Sequence, residues 1–448
     1  MVDKSSMENE KRALIICYDF PPYVSVAGLR PYSWYKYMRL YGFYPIVVTR
    51  QWNDLKGNPS DYVRPSKSDK TTAEKTLLGE LICAPYFPNL ANKILLRHGE
   101  RKFKIFRKTI SLVLDYMQFF FPIGPKIELY RAAKDYLSNN KVDIIIATGE
   151  PFVNFHYASK LSSQFHIPWV ADYRDPWTNN GTRKNAVLRF LNKRIEKNVL
   201  KSVSHITSVS EYVINLTFET IEAKKDYSIV LNGFDKVEIE NISQLNKTKE
   251  LRLGLAGSIY DWHPVEEFLG ALNEFIVRFP DCPLILNFIG LNDERKVIKV
   301  MEANGFHQVL KNCRFSGKML NKEYVARISE NDVNILFNDY PILGTKIFDF
   351  LKVGKPIFLC FTGDQIAKKY ETKFFGVDQT AGFPYLQIKM LEEVGGGVLI
   401  EDGSELINKL YSYFQGDLII KDVNTSKLSI YSRESQTGNL CKVLQKLC

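Results

Sequence analysis

Several things that would classify this 448-residue chain quickly are missing from it. Its seven cysteines, Cys17, Cys83, Cys282, Cys313, Cys360, Cys441 and Cys448, are scattered, odd in number and contain no CxxC pair. That spacing argues against a disulfide framework and against a zinc site, and it predicts a reduced, cytosolic setting. No stretch reaches the roughly 20 uninterrupted apolar residues of a membrane-spanning helix. The polar start and the short apolar run 13–17 do not make a secretory signal. GxGxxG is absent too, which removes the dinucleotide fingerprint. Repeats and low-complexity tracts are also lacking.

What remains has the composition of a soluble globular protein, with 45% hydrophobic and 25% charged residues. Its length exceeds what one ordinary core supports, so two domains are expected. A formal charge of +10 favours polyanionic company, be it nucleic acid, phosphorylated small molecules or an acidic membrane.

Short apolar, β-branched runs alternate with helical patterns almost from end to end. One set lies at 12–18, 45–49, 143–148, 168–172, 205–208 and 228–231; a second lies at 251–256, 283–289, 313–316, 333–337, 356–361 and 397–401. Near-continuous apolarity is the mark of parallel strands covered on both faces. The fold class expected is therefore α/β, with two Rossmann-like doubly wound parallel-sheet domains facing across a cleft. The polar stretch 236–250 is the expected boundary, giving domains 1–235 and 236–425, with a C-terminal helix in 426–448 that packs back on the first domain.

Ligands of open α/β sheets sit beyond the carboxyl ends of the strands. After the first run, "YDFPPYVSVAGLRPYSWYKYM" offers Ala27 and Gly28 as backbone open to close approach, then Arg30. The alternative is an ordinary strand-to-helix loop. "GEPFVNFH" contributes Glu150 and a histidine, His156, of structural type. "DYRDPWT" packs Asp172, Arg174 and Asp175 into four residues. Such a cluster can orient a hydroxyl or accept its proton, or it can be an internal Arg–Asp pair that fixes the loop.

In the second half, "GLAGSIYDWHPVEEFLGAL" places Gly257 and Ser258 after a strand, and "FSGKM" places Gly317 and Lys318 after another. "GTKIFDFLKVGKPI" collects Gly344, Thr345, Lys346 and Asp349 at one helix start, with the carboxylate expected in its first turn. Unpaired N–H groups, a hydroxyl and a cation there suit a phosphate, and Asp349 suits a vicinal diol such as ribose. The alternative is that Asp349 complements the helix dipole and pairs with Lys346.

Taken in order, "YDFPPYVSVAGLRPYSWYKYMRLYGFYPIVVT", "ATGEPF", "ADYRDPWT", "SVSEY", "VLNGFD" and "GTKIFDFLKVGKPI" resemble the bacterial glycosyltransferases of family 4, the group 1 type, of GT-B architecture. That resemblance implies transfer of a sugar from a nucleoside diphosphate sugar to an acceptor hydroxyl, with retention, in cell-surface polysaccharide or glycolipid synthesis. The nucleotide sugar is a co-substrate; neither a cofactor nor a bound metal is implied. By resemblance, Ala27 and Gly28 approach the donor phosphates, Lys346 holds them and Asp349 takes the ribose. Gly257, Ser258, Lys318, Gly344 and Thr345 complete the donor set; Arg30, Glu150 and Asp172 face the acceptor, a saccharide that is free or lipid-linked. Arg174 and Lys346 assist catalysis, and Asp175 is the base an inverting reaction would need.

Two features depart from the family. Asp349 stands where the second of two glutamates is usual, with Pro341 at the place of the first, and "SIYDWH" lacks the arginine and lysine that usually meet the diphosphate. A DxD pair, the mark of the other, metal-dependent architecture, is absent. A sugar-nucleotide epimerase and a non-catalytic sugar-nucleotide-binding protein are the alternatives. Finally, residues 92–121 mix many cations with Ile94, Leu95, Phe103, Phe106, Ile110 and Leu114. They read as a basic amphipathic helix suited to an anionic membrane surface, or as a helix with a solvated basic face. No nucleic-acid module accompanies the basic charge, so nucleic acid is not an expected partner.

Overall fold

The computed structural model describes residues 10–53, 61–179, 185–235, 250–261, 263–291, 293–339, 343–363 and 386–448. It divides into two compact units, Met1–Leu231 with Arg433–Cys448, and Asn232–Ser432.

Among the described residues, the first unit carries strands β1 (Lys11–Ile16), β2 (Phe43–Arg50), β3 (Thr72–Lys75), β4 (Glu80–Ala84), β5 (Ile144–Thr148), β6 (Trp169–Tyr173), β7 (His205–Ser208) and β8 (Tyr227–Ile229). They form one sheet in the order β3-β4-β2-β1-β5-β6-β7-β8, parallel except for β3 against β4. Its helices are α1 (Val26–Tyr37), α2 (Leu90–His98), α3 (Lys104–Met117), α4 (Ile127–Asn139), α5 (Val153–Phe165), α6 (Ala186–Val199) and α7 (Glu211–Ile221). Strands such as β1 and β5 are buried on both faces, which explains their unbroken apolar sequences. The antiparallel β3–β4 hairpin is a sheet element that the apolar pattern does not announce, because every residue of β3 is exposed; its backbone ladder is joined by a Lys75–Glu80 ion pair at 3.8 Å.

The second unit carries β9 (Leu251–Ala256), β10 (Leu284–Ile289), β11 (Cys313–Ser316), β12 (Val333–Phe337), β13 (Ile357–Cys360) and β14 (Gly397–Ile400), all parallel in the order β11-β10-β9-β12-β13-β14. Helices α8 (Val265–Arg278), α9 (Glu294–Ala303), α10 (His307–Lys311), α11 (Asn321–Ser329), α12 (Thr345–Val353), α13 (Leu386–Val394), α14 (Gly403–Gln415) and α15 (Thr425–Ser429) accompany them. Phe268, Leu272 and Phe275 of α8 close the core over β9, β10 and β12.

The last helix, α16 (Arg433–Gln445), belongs to the first unit. Leu440, Cys441 and Leu444 enter its core beside Trp34, Tyr35 and Met38, and the Tyr41 hydroxyl donates to the Glu434 carbonyl oxygen at 3.2 Å.

Each sheet reverses its winding at one place. In the first unit β2 lies on one side of β1 and β5 on the other; in the second, β10 and β12 flank β9. Crevices at such switch points, outside the carboxyl ends of the strands, are where doubly wound sheets bind ligands.

Candidate functional site

In the second unit, the groups beyond β9 and β12 converge. Gly257 has φ +72°, and a Cβ there would stand 2.7 Å from Cε of Lys346, so only glycine lets the lysine lie across this turn. The Lys346 ammonium donates to the Ser258 carbonyl oxygen at 3.0 Å. Burial pulls its pKa down to about 8 from 10.5, against the opposing charge of Asp339. A lysine so placed is poised to gain from an anion.

Helix α12 begins beside it. Gly344 is the N-cap in extended conformation and, among the described residues, no side chain caps the helix, which leaves its first N–H groups for a ligand. Among the described residues nothing lies within 4 Å of where a Gly344 Cβ would be. Thr345 and Lys346 are the first two helical residues, both half-buried.

Three residues join this site without a signal in local sequence spacing. Asn338, just after β12, is buried, and among the described residues neither its side-chain oxygen nor its nitrogen has a partner. A buried amide left so is costly unless a ligand satisfies it. Next to it Asp339 accepts a hydrogen bond from His263 Nε2 at 3.1 Å and donates its backbone N–H to Gln387 Oε1 at 2.6 Å. His263 Nδ1 accepts the Tyr260 N–H at 3.3 Å, which puts the ring proton on Nε2 and fixes the tautomer.

Asp349 differs from expectation. Because α12 starts at Thr345, this carboxylate falls just past the first turn. It is buried and close enough to Tyr324 of α11 for its charge to help burial raise that hydroxyl's pKa. Lys318 is exposed at the end of β11, the edge strand of the sheet. Pro341 lies outside the described residues.

A cavity of 1020 Å³ opens beside the Tyr260–His263 turn. Among the described residues Asp261, Glu266, Glu267, Glu274, Asp293 and Asp402 line it, with Lys296 as the one Lys or Arg. That wall repels a diphosphate, whereas the Lys346 side of the turn presents a cation and the start of α12. Among the described residues no group of three or more His, Cys, Asp and Glu side chains is placed to hold a metal ion.

In the first unit, Arg30 and Asp172 serve one another rather than a ligand. Arg30 Nη2 and Nε donate to Asp172 Oδ1 and Oδ2 at 2.7 and 3.0 Å, and the hydroxyls of Thr148 and Thr207 donate to the same carboxylate at 2.9 and 2.8 Å. Arg30 Nη1 reaches the Leu231 carbonyl oxygen at 3.0 Å. Asp172 has no exposed surface. The acceptor-facing role expected of both gives way to an internal pair, formed across 142 residues rather than within "DYRD". Gly28 likewise serves its own loop: a Cβ there would press at 3.3 Å on the Asp19 and Phe20 backbone. The Ala27 N–H is already taken by Ser25 Oγ at 3.1 Å.

Arg174 donates to the carbonyl oxygens of Gly149 and Glu150 at 2.6 and 3.0 Å, tying the loop after β6 to the loop after β5. Glu150 and Asp175 are exposed on those loops. Asp19, unnoticed in the sequence, follows β1 at the switch point. Its Oδ2 accepts the Ser25 hydroxyl at 2.7 Å, whereas its buried Oδ1 has no partner among the described residues. Burial raises its pKa, countered by Ser25, Arg174, Arg50 and Lys126. Burial lowers the pKa of Lys126, countered first by Asp115. His156 packs its ring 5.4 Å from Phe119, and burial holds its pKa down to about 4, so it stays uncharged at neutral pH.

No protein-family model matches the chain, and no curated protein matches it in sequence. Solved structures do match over its whole length. A sucrose-phosphate synthase from Thermosynechococcus elongatus aligns at 14% identity over 98% of this chain and 95% of that one, with a TM-score of 0.54. A UDP-forming α,α-trehalose-phosphate synthase from Burkholderia vietnamiensis aligns at 9% identity over 98% and 100%, with a TM-score of 0.59. A glycosyltransferase from Rickettsia africae aligns at 11% identity over 98% and 99%, with a TM-score of 0.54. At such identities the likeness is one of fold, and the fold is the GT-B type built from two Rossmann-like domains.

Proposed function

We propose that the chain is a glycosyltransferase that moves a sugar from a nucleoside diphosphate sugar to an acceptor hydroxyl. The observation that carries this reading is the anion site at the switch point of the second unit: Lys346, its pKa lowered, held across Gly257 beside the uncapped start of α12. The whole-length likeness to GT-B enzymes supports it, and a neighbour described as UDP-forming makes UDP-sugars the first donors to screen.

Breaking the bond between sugar and phosphate builds negative charge on the departing diphosphate, so donors fixed on that oxygen lower the barrier most. The N–H groups of α12 and the Lys346 ammonium are the groups suited to this work, with the Asn338 amide available to a polar group of the donor. Within this reading the reaction proceeds with retention and without a bound metal ion, the leaving phosphate taking the acceptor proton. Asp175 is the base in an inverting route. The acceptor is a saccharide, free or lipid-linked, as in cell-surface polysaccharide or glycolipid synthesis, and the groups around Asp19, Lys126 and Arg174 are those we assign to it.

The test is incubation of the full chain with sugar nucleotides, with and without saccharide acceptors, followed by NMR of the products. A new glycosidic bond that forms only with acceptor present supports the reading, and its anomeric configuration decides between retention and inversion. Conversion of the sugar nucleotide alone would make the protein an epimerase instead.

A further inference from the structure

The segment 92–121 is not one basic amphipathic helix but two, α2 and α3, separated at Gly99, whose φ is +75°, and at Phe103, whose φ is +55°. They pack on each other and expose most of what remains. No residue of α3 is buried. Ile105 and Leu112, with Phe106, Val113 and Met117, recur at the seven- and four-residue steps that line one side of a helix, and all are exposed, Ile105 by 83%. Lys104, Arg107 and Lys108 fall on another side. Phe120 and Phe121 extend the apolar strip beyond the helix end.

The fold adds a second segment. The Tyr116 hydroxyl donates to the Leu188 carbonyl oxygen at 3.3 Å, which sets the start of α6 beside α3. There Val187, Phe190 and Leu191, spaced to share a helix face, are also exposed, and the Arg194 guanidinium lies 4.4 Å over the Phe190 ring. Helix α2, packed on α3, adds the exposed Leu90 and Leu96, so three neighbouring helices carry exposed apolar side chains. Its basic border is one-sided: Lys93, Arg97, Arg101, Lys102, Lys104, Arg107 and Lys108 oppose Glu100 and Asp115 in 92–121.

We propose that α2, α3 and the first turns of α6 dock the protein on an anionic bilayer, the apolar strip entering the headgroup region and the cations meeting lipid phosphates. The charge complementarity selects this occupant. Large apolar side chains exposed together mark an interaction site, and a group of them bordered almost wholly by Lys and Arg matches the negative leaflet of a membrane. No helix among the described residues is long and apolar enough to cross a membrane, so attachment is to one face. The inference does not depend on sugar transfer.

The experiment is flotation of the full chain with vesicles of phosphatidylglycerol and phosphatidylcholine, against vesicles of phosphatidylcholine alone. Binding to the anionic vesicles at low salt, weakened in high salt and reduced at least about tenfold in I105E/F106E/F190E, is the expected result. Ile419→Glu, at a 94% exposed site in the second unit, is the control and leaves binding unchanged. Hydrogen exchange of the wild-type chain gives a readout independent of variant folding: anionic vesicles should protect 103–121 and 186–191 selectively. Absence of flotation, equal flotation of the triple variant, or self-association through this surface with no vesicle binding overturns the proposal.

Discussion

At the scale of single residues, Lys346 carries the most testable chemistry. Its burial, with no carboxylate hydrogen bond among the described residues, works against the fold and in favour of an anion. Replacing it by methionine should therefore leave the melting temperature unchanged or raise it, while nucleoside diphosphate affinity, read by calorimetry, falls roughly 10- to 100-fold through loss of a charge-assisted bond. A drop in both would mean the lysine is only structural. The pH dependence follows in sign. With a folded pKa of about 8 against 10.5 unfolded, the unfolded chain binds more protons between those values, so this residue makes stability rise with pH there. Diphosphate affinity moves the other way, declining by up to about tenfold per pH unit above pH 8 as the free lysine deprotonates. Arg30 and Asp172 give the opposite contrast. Removing either one, as in Arg30→Met or Asp172→Ala, strands a buried charge and should cost about 3–5 kcal/mol in urea unfolding.

At the scale of elements, legibility depended on whether the signal was local. The strands around each switch point could be read from the sequence because burial on both faces writes an unbroken apolar run. Strand β3 could not, since its edge position asks nothing of its side chains. The helix start at 344–346 was visible because glycine, threonine and lysine adjoin in sequence. Asn338 and Asp19 were not visible: their unsatisfied atoms become apparent only when neighbouring strands and loops are in place. The Arg30–Asp172 pair joins residues 142 apart, beyond any spacing rule. Helix α16 supplies the element-scale prediction. Leu444 is fully buried in the first unit's core, so Leu444→Ala should destabilise by about 2–5 kcal/mol, measured by chemical denaturation. A change below 0.5 kcal/mol would show that α16 does not complete that core.

At the scale of the whole molecule, each unit is a doubly wound sheet with polar groups gathered where its winding reverses, and the two gatherings differ in kind. The second unit presents a cation and bare N–H groups. The first presents a carboxylate of raised pKa between cations, walled by aromatic rings, with Tyr23 stacked on Trp52 at 4.0 Å. In the proposed reading the second gathering serves the anionic donor and the first the hydroxyl-bearing acceptor. The measurement closest to this account is calorimetric titration of sugar nucleotides, UDP-sugars first, into the wild-type chain and Lys346→Met. The account predicts that at least one binds the wild type and that the variant binds it at least about tenfold more weakly while remaining folded. Binding of equal strength to both proteins, or no binding of any nucleoside diphosphate sugar to the wild type, would contradict it.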